Sequence, residues 1–203
     1  MGPDSTQSLE MQELPTIPFP VLTTSRLLLR ALEITDAPAI FQLRSDPAVL
    51  RYLGREPATD IKEAEDFIRN IQDNTLSGKS ILWGIALKEN PSALIGTICF
   101  WNIKPEISEA ESGYAMLPDF WGKGYTTESL QTVMDWGFNT AGFNSIIAVL
   151  DAANLPSAAV LQKTGFSLDP DWTETESFRG EEVKLVQYFK QNPLTTNAGV
   201  LRS

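Results

Sequence analysis

The order of apolar runs along these 203 residues predicts a mixed α/β (α+β) domain, a sheet with helices on its faces. Three observations carry that reading. Short apolar runs of strand length alternate with stretches whose apolar residues recur every three to four positions. Two of the strand-length runs flank "NPS" at residues 90–92, which is hairpin chemistry. Residues 60–77 place their apolar side chains on one face at helical spacing.

Taken in order, residues 1–22 carry Pro3, Pro15, Pro18 and Pro20 and read as an extended arm or a disordered tail. "RLLLRAL" (26–32), bounded by turn-forming residues, is the first strand. A helix follows in "TDAPAIFQLRS", with Thr35 at its N-cap and Pro38 in its first turn. "DPAVLRYL" adds a short helix starting at Pro47. Residues 60–77 align Ala64, Phe67, Ile68, Ile71 and Thr75, and Gly78 ends that helix. Strands are expected at 81–89, 93–103 and 109–117. Beyond a glycine turn, Leu130, Val133, Met134 and Phe138 mark the inner face of a helix ending near Gly142. A buried strand (144–150) precedes a helix over 154–166 closed by Gly165, and 181–190 is the last strand. No repeat or linker interrupts the run, so 23–190 reads as one domain between an arm (1–22) and a loose tail (191–203).

Composition narrows the chemistry. At 42% hydrophobic and 21% charged, the chain is ordinary globular material with enough apolar residues for a core. A formal charge of -10 repels a nucleic-acid backbone and suits a cationic partner such as an amine. Cys99 is the only cysteine and histidine is absent. An internal disulfide, a Ser-His-Asp triad, a Cys-His pair and the usual zinc sites are thereby excluded, and no metal is expected. Acid–base work falls to Asp, Glu, Lys, Tyr, Ser, Cys or water. No apolar run reaches the ~20 residues that span a bilayer. The acidic N-terminus lacks the basic leader and apolar core of a signal peptide, so a cytoplasmic protein without a membrane partner is expected.

One stretch stands out: "LPDFWGKGYTTESL" (117–130), where a strand runs through Gly122-Lys123-Gly124 into a helix. Glycines allow a tight turn and close approach to a ligand. The first helical N–H groups point outward unpaired, and the helix dipole and Lys123 add positive charge. A Walker loop is excluded, because the only "GKS" (78–80) has Asp73 where the first glycine is required. A dinucleotide fingerprint is excluded because position 127 is Thr. An anion site and a plain glycine turn both remain open on these residues alone.

The wider context resembles a known family. "AESGYAMLPDFWGKGYTTESL" is similar to the coenzyme A-binding motif of the Gcn5-related N-acetyltransferases (GNAT), and within them to the ribosomal-protein alanine/serine N-acetyltransferase branch. "TTSRLLLRAL" with "DAPAIFQLRSDPAVLRYLG", "WGIAL" with "LIGTICFW", and "NLPSAAVLQKTGF" resemble further pieces of that branch in the same order. Together they cover roughly residues 23–190. The resemblance implies the acyl-CoA N-acyltransferase fold, a central, mixed, mostly antiparallel sheet of six to seven strands with helices on both faces. It also implies acetyl-CoA as co-substrate and an amine as acceptor.

Carried over residue by residue, the resemblance gives Tyr114, Ala115 and Met116 to the pantetheine arm through backbone groups. Trp121, Gly122, Lys123, Gly124, Tyr125 and Thr126 fall to the pyrophosphate, and Asn154 and Ser157 to the thioester region. Asn154 also reads as a helix N-cap and Ser157 as a first-turn polar residue. Three positions depart from the family pattern. Asp119 replaces the usual Arg or Gln before the glycine turn, Leu161 stands where many relatives have a tyrosine acid, and Val149 where some have a glutamate base.

Direct attack of an amine on a thioester needs a proton acceptor, a donor for the developing oxyanion and a proton for the departing sulfur. Glu111 is the candidate base, with an ion-paired strand glutamate as the alternative. A backbone N–H near Met116 is the oxyanion donor, on a strand interrupted after Gly113. Ser157 holds the thiolate, with Tyr114 as the reserve acid. Trp83, Phe100, Trp101 and Phe120 read either as packing or as walls of a substrate groove. The function expected is acetyl transfer from acetyl-CoA to a primary amine in a ternary complex, with a peptide N-terminus as acceptor. A small amine (polyamine, amino acid or antibiotic) and a non-catalytic CoA-binding module are the alternatives. Either a monomer or a homodimer is compatible.

Overall fold

The computed structural model describes residue 14, residues 16–178 and residues 180–196. Strands β1 (Leu22–Thr23) and β2 (Leu27–Arg30) open the chain. A 3-10 turn (Ile34–Asp36) then leads into α1 (Ala37–Ser45), α2 (Pro47–Leu50) and α3 (Ile61–Leu76). Strands β3 (Ile81–Leu87), β4 (Asn90–Lys104) and β5 (Glu109–Met116) follow, and α4 (Tyr125–Asn139) crosses over to β6 (Ser145–Asp151). Helix α5 (Leu155–Lys163), strands β7 (Ser167–Phe178) and β8 (Glu181–Gln191) and the short α6 (Pro193–Thr196) complete the order.

The strands form one sheet in the order β1-β2-β3-β4-β5-β6-β8-β7. Every pairing is antiparallel except β5 with β6. The sheet has eight strands, beyond the six to seven expected, because the two-residue β1 pairs with β2 through Leu22 opposite Leu29 and Thr23 opposite Leu28. Strand β7 sits at the opposite edge. It is exposed at nearly every position and contains Pro170, which an edge strand tolerates because a missing N–H there breaks no inner ladder. Such a polar strand has no buried face to give it a period.

Two apolar layers cover the sheet. Leu32, Ile40, Leu43, Ala64 and Ile68 pack with Leu82 and Leu94 on the α1–α3 face. Leu130, Val133, Met134, Trp136 and Phe138 of α4 and Leu161 of α5 pack with Trp83, Ile98, Phe100 and Ile146 on the other. Strand β3 is buried at every position but Leu87, as a strand covered on both faces must be. The α3 face read from spacing is the packed one: Ala64, Ile68 and Thr75 are buried, Phe67 and Ile71 partly so. Asp60 caps that helix in a box with Glu63.

Three expectations need correction. Residues 90–92 are not the hairpin turn: Leu87 pairs directly with Asn90, leaving Lys88 and Glu89 as the loop, and a register shift absorbs Pro91 and Ser92. Thr35 does not cap α1. Asp36 takes the N-cap position, while its carboxylate is held by both Arg30 Nη atoms at 2.8 Å and the Glu33 N–H at 2.8 Å. Trp83 and Phe100 wall no groove, because both are fully buried. Trp83 meets Trp136 edge-on at 5.2 Å between ring centroids and Phe100 at 6.1 Å.

Of the expected arm, residues 1–13 and 15 lie outside the described residues. Leu14, Phe19 and Leu22 pack against the core, and the Trp83 indole N–H donates to the Pro20 carbonyl at 2.7 Å. Of the expected tail, residues 197–203 lie outside the described residues. The Asn192 amide donates to Phe138 O and Phe143 O, which fastens the end of β8 to the α4–β6 loop.

Trp83→Ala should lower unfolding free energy by about 3–5 kcal/mol, the usual cost of deleting a large buried aromatic. Chemical denaturation reads this directly, and a change under about 1 kcal/mol would contradict the packing described.

Candidate active site

Strand β5 ends in a 3-10 turn (Pro118–Phe120) that uses the Phe120 and Trp121 N–H groups internally, on Leu117 O and Pro118 O. Gly122 (φ +72°) and Gly124 (φ +80°) then carry the left-handed backbone that brings the chain into α4. The N–H groups of Gly122, Lys123, Gly124, Tyr125, Thr126 and Thr127 donate to no acceptor among the described residues, and the first satisfied one is Glu128, on Gly124 O. The helix has no side-chain N-cap bond. A Cβ built on Gly122 meets nothing within 4 Å, so the loop is open to approach. A row of free amides at the positive end of a 15-residue helix is a site for a phosphate-type anion. The row supplies its donors without the side chain that Asp119 replaces.

What fixes the loop is a clasp from the opposite edge of the sheet. The Glu128 carboxylate accepts from the Thr24 hydroxyl, from the Arg26 N–H at 3.1 Å and from Arg26 Nε at 2.7 Å. The same guanidinium donates to Lys123 O at 3.0 Å and lies 4.5 Å from the Tyr125 ring centroid. Burial resists ionisation of Glu128, but the hydrogen bonds from Thr24 and Arg26 and the Arg26 charge outweigh it and hold the carboxyl below its ordinary value.

Beside the loop the sheet opens. Strands β5 and β6 pair only through Glu109–Ser145, Ala110–Ile146 and Glu111–Ile147. Beyond these pairs β5 continues to Met116 on β4, and β6 to Asp151 on β8. The Leu117 N–H donates to Ile95 O of β4, so by alternation Tyr114 and Met116 turn their backbone groups into the gap, and Ala115 does not. Across the gap, the Tyr114 hydroxyl lies 2.7 Å from Ser157 Oγ. Burial pushes the Tyr114 phenol up to about 12, partly offset by the Ser157 hydrogen bond, so it keeps its proton at neutral pH. Asn154 Oδ1 caps α5 by accepting the Ser157 N–H at 3.2 Å.

The gap borders a cavity of about 770 Å³ on the α1–α3 face, lined by Tyr114 and Ala115 of β5 and by Val149 and Asp151 of β6. The α2–α3 loop (Arg51 to Arg55) roofs it, and the β7–β8 hairpin closes one side. Glu111 stands on its floor, 8% exposed. Asn102, in a left-handed backbone conformation (φ +45°) at a β4 register shift, donates to Glu111 Oε2 at 3.2 Å. Burial raises the Glu111 carboxyl above its ordinary value, against the lowering pull of Asn102 and Lys104. Lys104 itself pairs with Glu109 at 3.0 Å.

The structure thus gathers most of the residues named from sequence, with corrections. Trp121 offers no free backbone amide, and its indole N–H occupies Met116 O at 2.7 Å, so Met116 presents only its N–H to the gap. Ala115 faces β4. Strand β5 is not interrupted after Gly113; it is its pairing with β6 that ends. Leu161 is 1% exposed in the core, away from any acid role. Of the four aromatics, Trp101 is the one that lines the cavity, while Phe120 packs under the loop with Lys123 Nζ 5.4 Å from its ring centroid. The Arg26–Glu128 clasp and the cavity roof escaped sequence reasoning. The acidic first turn of α4 and the arginine in "TTSRLLL" were visible, but nothing local joins them.

A chain that frees its amides at the head of the crossover helix, and parts two parallel strands beside it, can lead a phosphorylated carrier's reactive end through the sheet toward a waiting acceptor. Comparison with known proteins shows the family. Residues 26–167 match the family model described as Acetyltransferase (GNAT) domain. An uncharacterized N-acetyltransferase, p20, of Bacillus licheniformis is 34% identical over 167 residues, spanning 82% of this chain and 93% of its own. Two solved structures share the fold: RimL ribosomal L7/L12 alpha-N-protein acetyltransferase in complex with coenzyme A (TM-score 0.76, 22% identity, 85% of this chain and 98% of that one), and spermidine N-acetyltransferase from Vibrio cholerae with CoA and spermine (TM-score 0.73, 20% identity, 83% and 97%). The chain belongs to the GNAT acetyltransferase family and is an acetyl-CoA-dependent N-acetyltransferase. Among the described residues, no helix is long and apolar enough to cross a membrane.

Gly122→Val forces a branched side chain into left-handed backbone, with no protein atom to clash with. Acetyl-CoA affinity by calorimetry should fall about tenfold or more, the equivalent of 1–3 kcal/mol of strain. Unchanged affinity would remove the loop from the binding site.

Proposed function

We propose that this N-acetyltransferase modifies the N-terminal amine of a peptide or protein. The observation that carries the proposal is the charge balance of the acceptor cavity. Glu111, Asp151 and Glu176 line it together with Arg51, Arg55 and Lys79. A polyamine would meet three cations there, whereas an extended peptide end presents one ammonium and otherwise neutral or mixed groups. The volume, about 770 Å³, accommodates several residues.

In this reading the free amides from Gly122 to Thr126 and the Lys123 charge hold the diphosphate, and the inward backbone groups of Tyr114 hold the pantetheine arm along β5. When bound, acetyl-CoA supplies an electrophilic thioester carbonyl and a thiol leaving group. Glu111, on the acceptor face, takes the proton that the ammonium must shed before its nitrogen can attack. The Met116 N–H lies at the gap to receive the oxygen that gains negative charge. Ser157, coupled to Tyr114, keeps a hydroxyl proton beside the departing sulfur. Asn154, through the Ser157 N–H, fixes the turn that aims that serine.

Glu111→Gln should reduce kcat by about 10²–10⁴, the span of general-base contributions, with acetyl-CoA affinity preserved. Because a base acts only when ionised, kcat/KM should climb with pH through a pKa above the ordinary glutamate range, and that limb should vanish in the variant. Stability moves the opposite way. A folded-state pKa above the unfolded one means that ionising Glu111 penalises the fold as pH rises between the two, and Glu111→Gln escapes the penalty. Undiminished turnover, or a limb in the ordinary carboxylate range, would exclude Glu111 as the base.

The acceptor is tested by following free CoA release over a panel of N-terminal peptides and of small amines, including spermidine. Peptides should exceed small amines in kcat/KM by at least about tenfold, the equivalent of one extra well-placed contact. The reverse order would favour the small-amine reading.

A further inference from the structure

Among the described residues, Arg55 is a cation with no carboxylate to pair with. It lies on the α2–α3 loop, lines the acceptor cavity, and has its Nε fully shielded from solvent without a hydrogen-bond partner. The ion pairs among the described residues join Arg26, Arg30, Arg69 and Lys104 to carboxylates, and Arg55 enters none of them. Its neighbour Arg44 offers no relief. That guanidinium also has an unpartnered, buried Nε and lies 4.3 Å from the centroid of the Phe67 ring. Burial, and then the Arg44 charge, pull Arg55 down to about 10, which leaves it cationic at neutral pH. A half-buried guanidinium with a shielded, unpartnered Nε is a costly feature for a fold to keep. Here it faces the space that the acceptor enters, and Arg51 and Lys79 line the same space.

We infer that Arg55 is a specificity-determining residue that binds a carboxylate of the acceptor, so that the preferred acceptor carries an acidic group close to its reacting amine. This rests on the reading that the acceptor enters from the α1–α3 face, and it deepens that reading by naming the acceptor's chemistry. A guanidinium offers a planar fork matched to a carboxylate, and because its Nε is already shielded from solvent, pairing costs the arginine less further desolvation than it would at an exposed site. The acidic group arrives from one of two sources: an Asp or Glu side chain in the first residues of a peptide, or the α-carboxylate of a free amino acid.

The test compares acceptors that differ only in that charge. Peptides beginning Ser-Asp or Ser-Glu are set against Ser-Asn and Ser-Gln, and free amino acids against their amides, each with the full-length protein and acetyl-CoA. The wild-type protein should favour the acidic member of at least one set by about tenfold or more in kcat/KM, chiefly through KM, as expected for a charged hydrogen-bonded pair. Arg55→Gln should collapse that ratio to near one, and Arg55→Lys should keep part of it. Since Arg55 holds up no other group, Arg55→Gln should not lower the thermal midpoint, whereas a structural arginine would. Preference confined to the amino-acid set would refute the peptide reading and leave the carboxylate inference standing. Equal rates for acidic and amide members in both sets, or a preference that survives Arg55→Gln, would overturn it.

Discussion

The arrangement depends on where one strand pairing stops. Parallel strands β5 and β6 hold together for three residue pairs and then part after Glu111 and Ile147, each kept straight by its other neighbour, β4 or β8. The parting leaves backbone N–H and C=O groups of Tyr114 and Met116 without ladder partners, which a fold tolerates only where something else satisfies them. Trp121 takes one of them, the Met116 carbonyl. The rest face the passage between the two sides of the sheet. Tyr114 and Ser157 meet on the α4–α5 side, Glu111 stands on the α1–α3 side, and the gap lies between them.

The second constraint is electrostatic. In a protein of net charge -10, the proposed anion site is built mainly from neutral groups. Free amides at a helix start carry no formal charge, add nothing to a composition count and cost no side-chain entropy. Holding them in place falls to Glu128 and Arg26, an acid and a base from distant parts of the chain that cancel each other. In the acceptor cavity charges of both signs coexist, so overall acidity does not describe the surface that an acceptor meets.

Legibility tracked how local the physics was. The α3 and α4 faces were readable because burial imposes a 3.6-residue period. The glycine loop was readable because left-handed backbone demands glycine, and the motif order around it matched a family. Strand β7 was not delimited, since an exposed polar edge strand carries no period. The 90–92 turn was misplaced because the two-residue loop just before it uses Lys88 and Glu89, which have no turn signature. Thr35 lost the cap because Asp36 was recruited by Arg30, a partner six residues away whose reach no propensity encodes. Trp83 and Phe100 could be read as packing or as groove walls because aromatic residues serve cores and sites alike, and burial settles both as packing.

By itself, the sequence determined the fold family, the glycine loop at the head of the crossover helix, and the absence of histidine, which leaves proton transfer to carboxylates, amines, hydroxyls, the thiol and water. Those are properties of single residues and short spacings. Only the tertiary structure decided that Tyr114 touches Ser157, that Glu111 is buried beside Asn102 with a raised proton affinity, and that Arg55 enters no ion pair among the described residues. Each is a relation between segments brought together by packing, and its energy depends on distance and solvent exclusion, neither of which is a property of the residues taken alone.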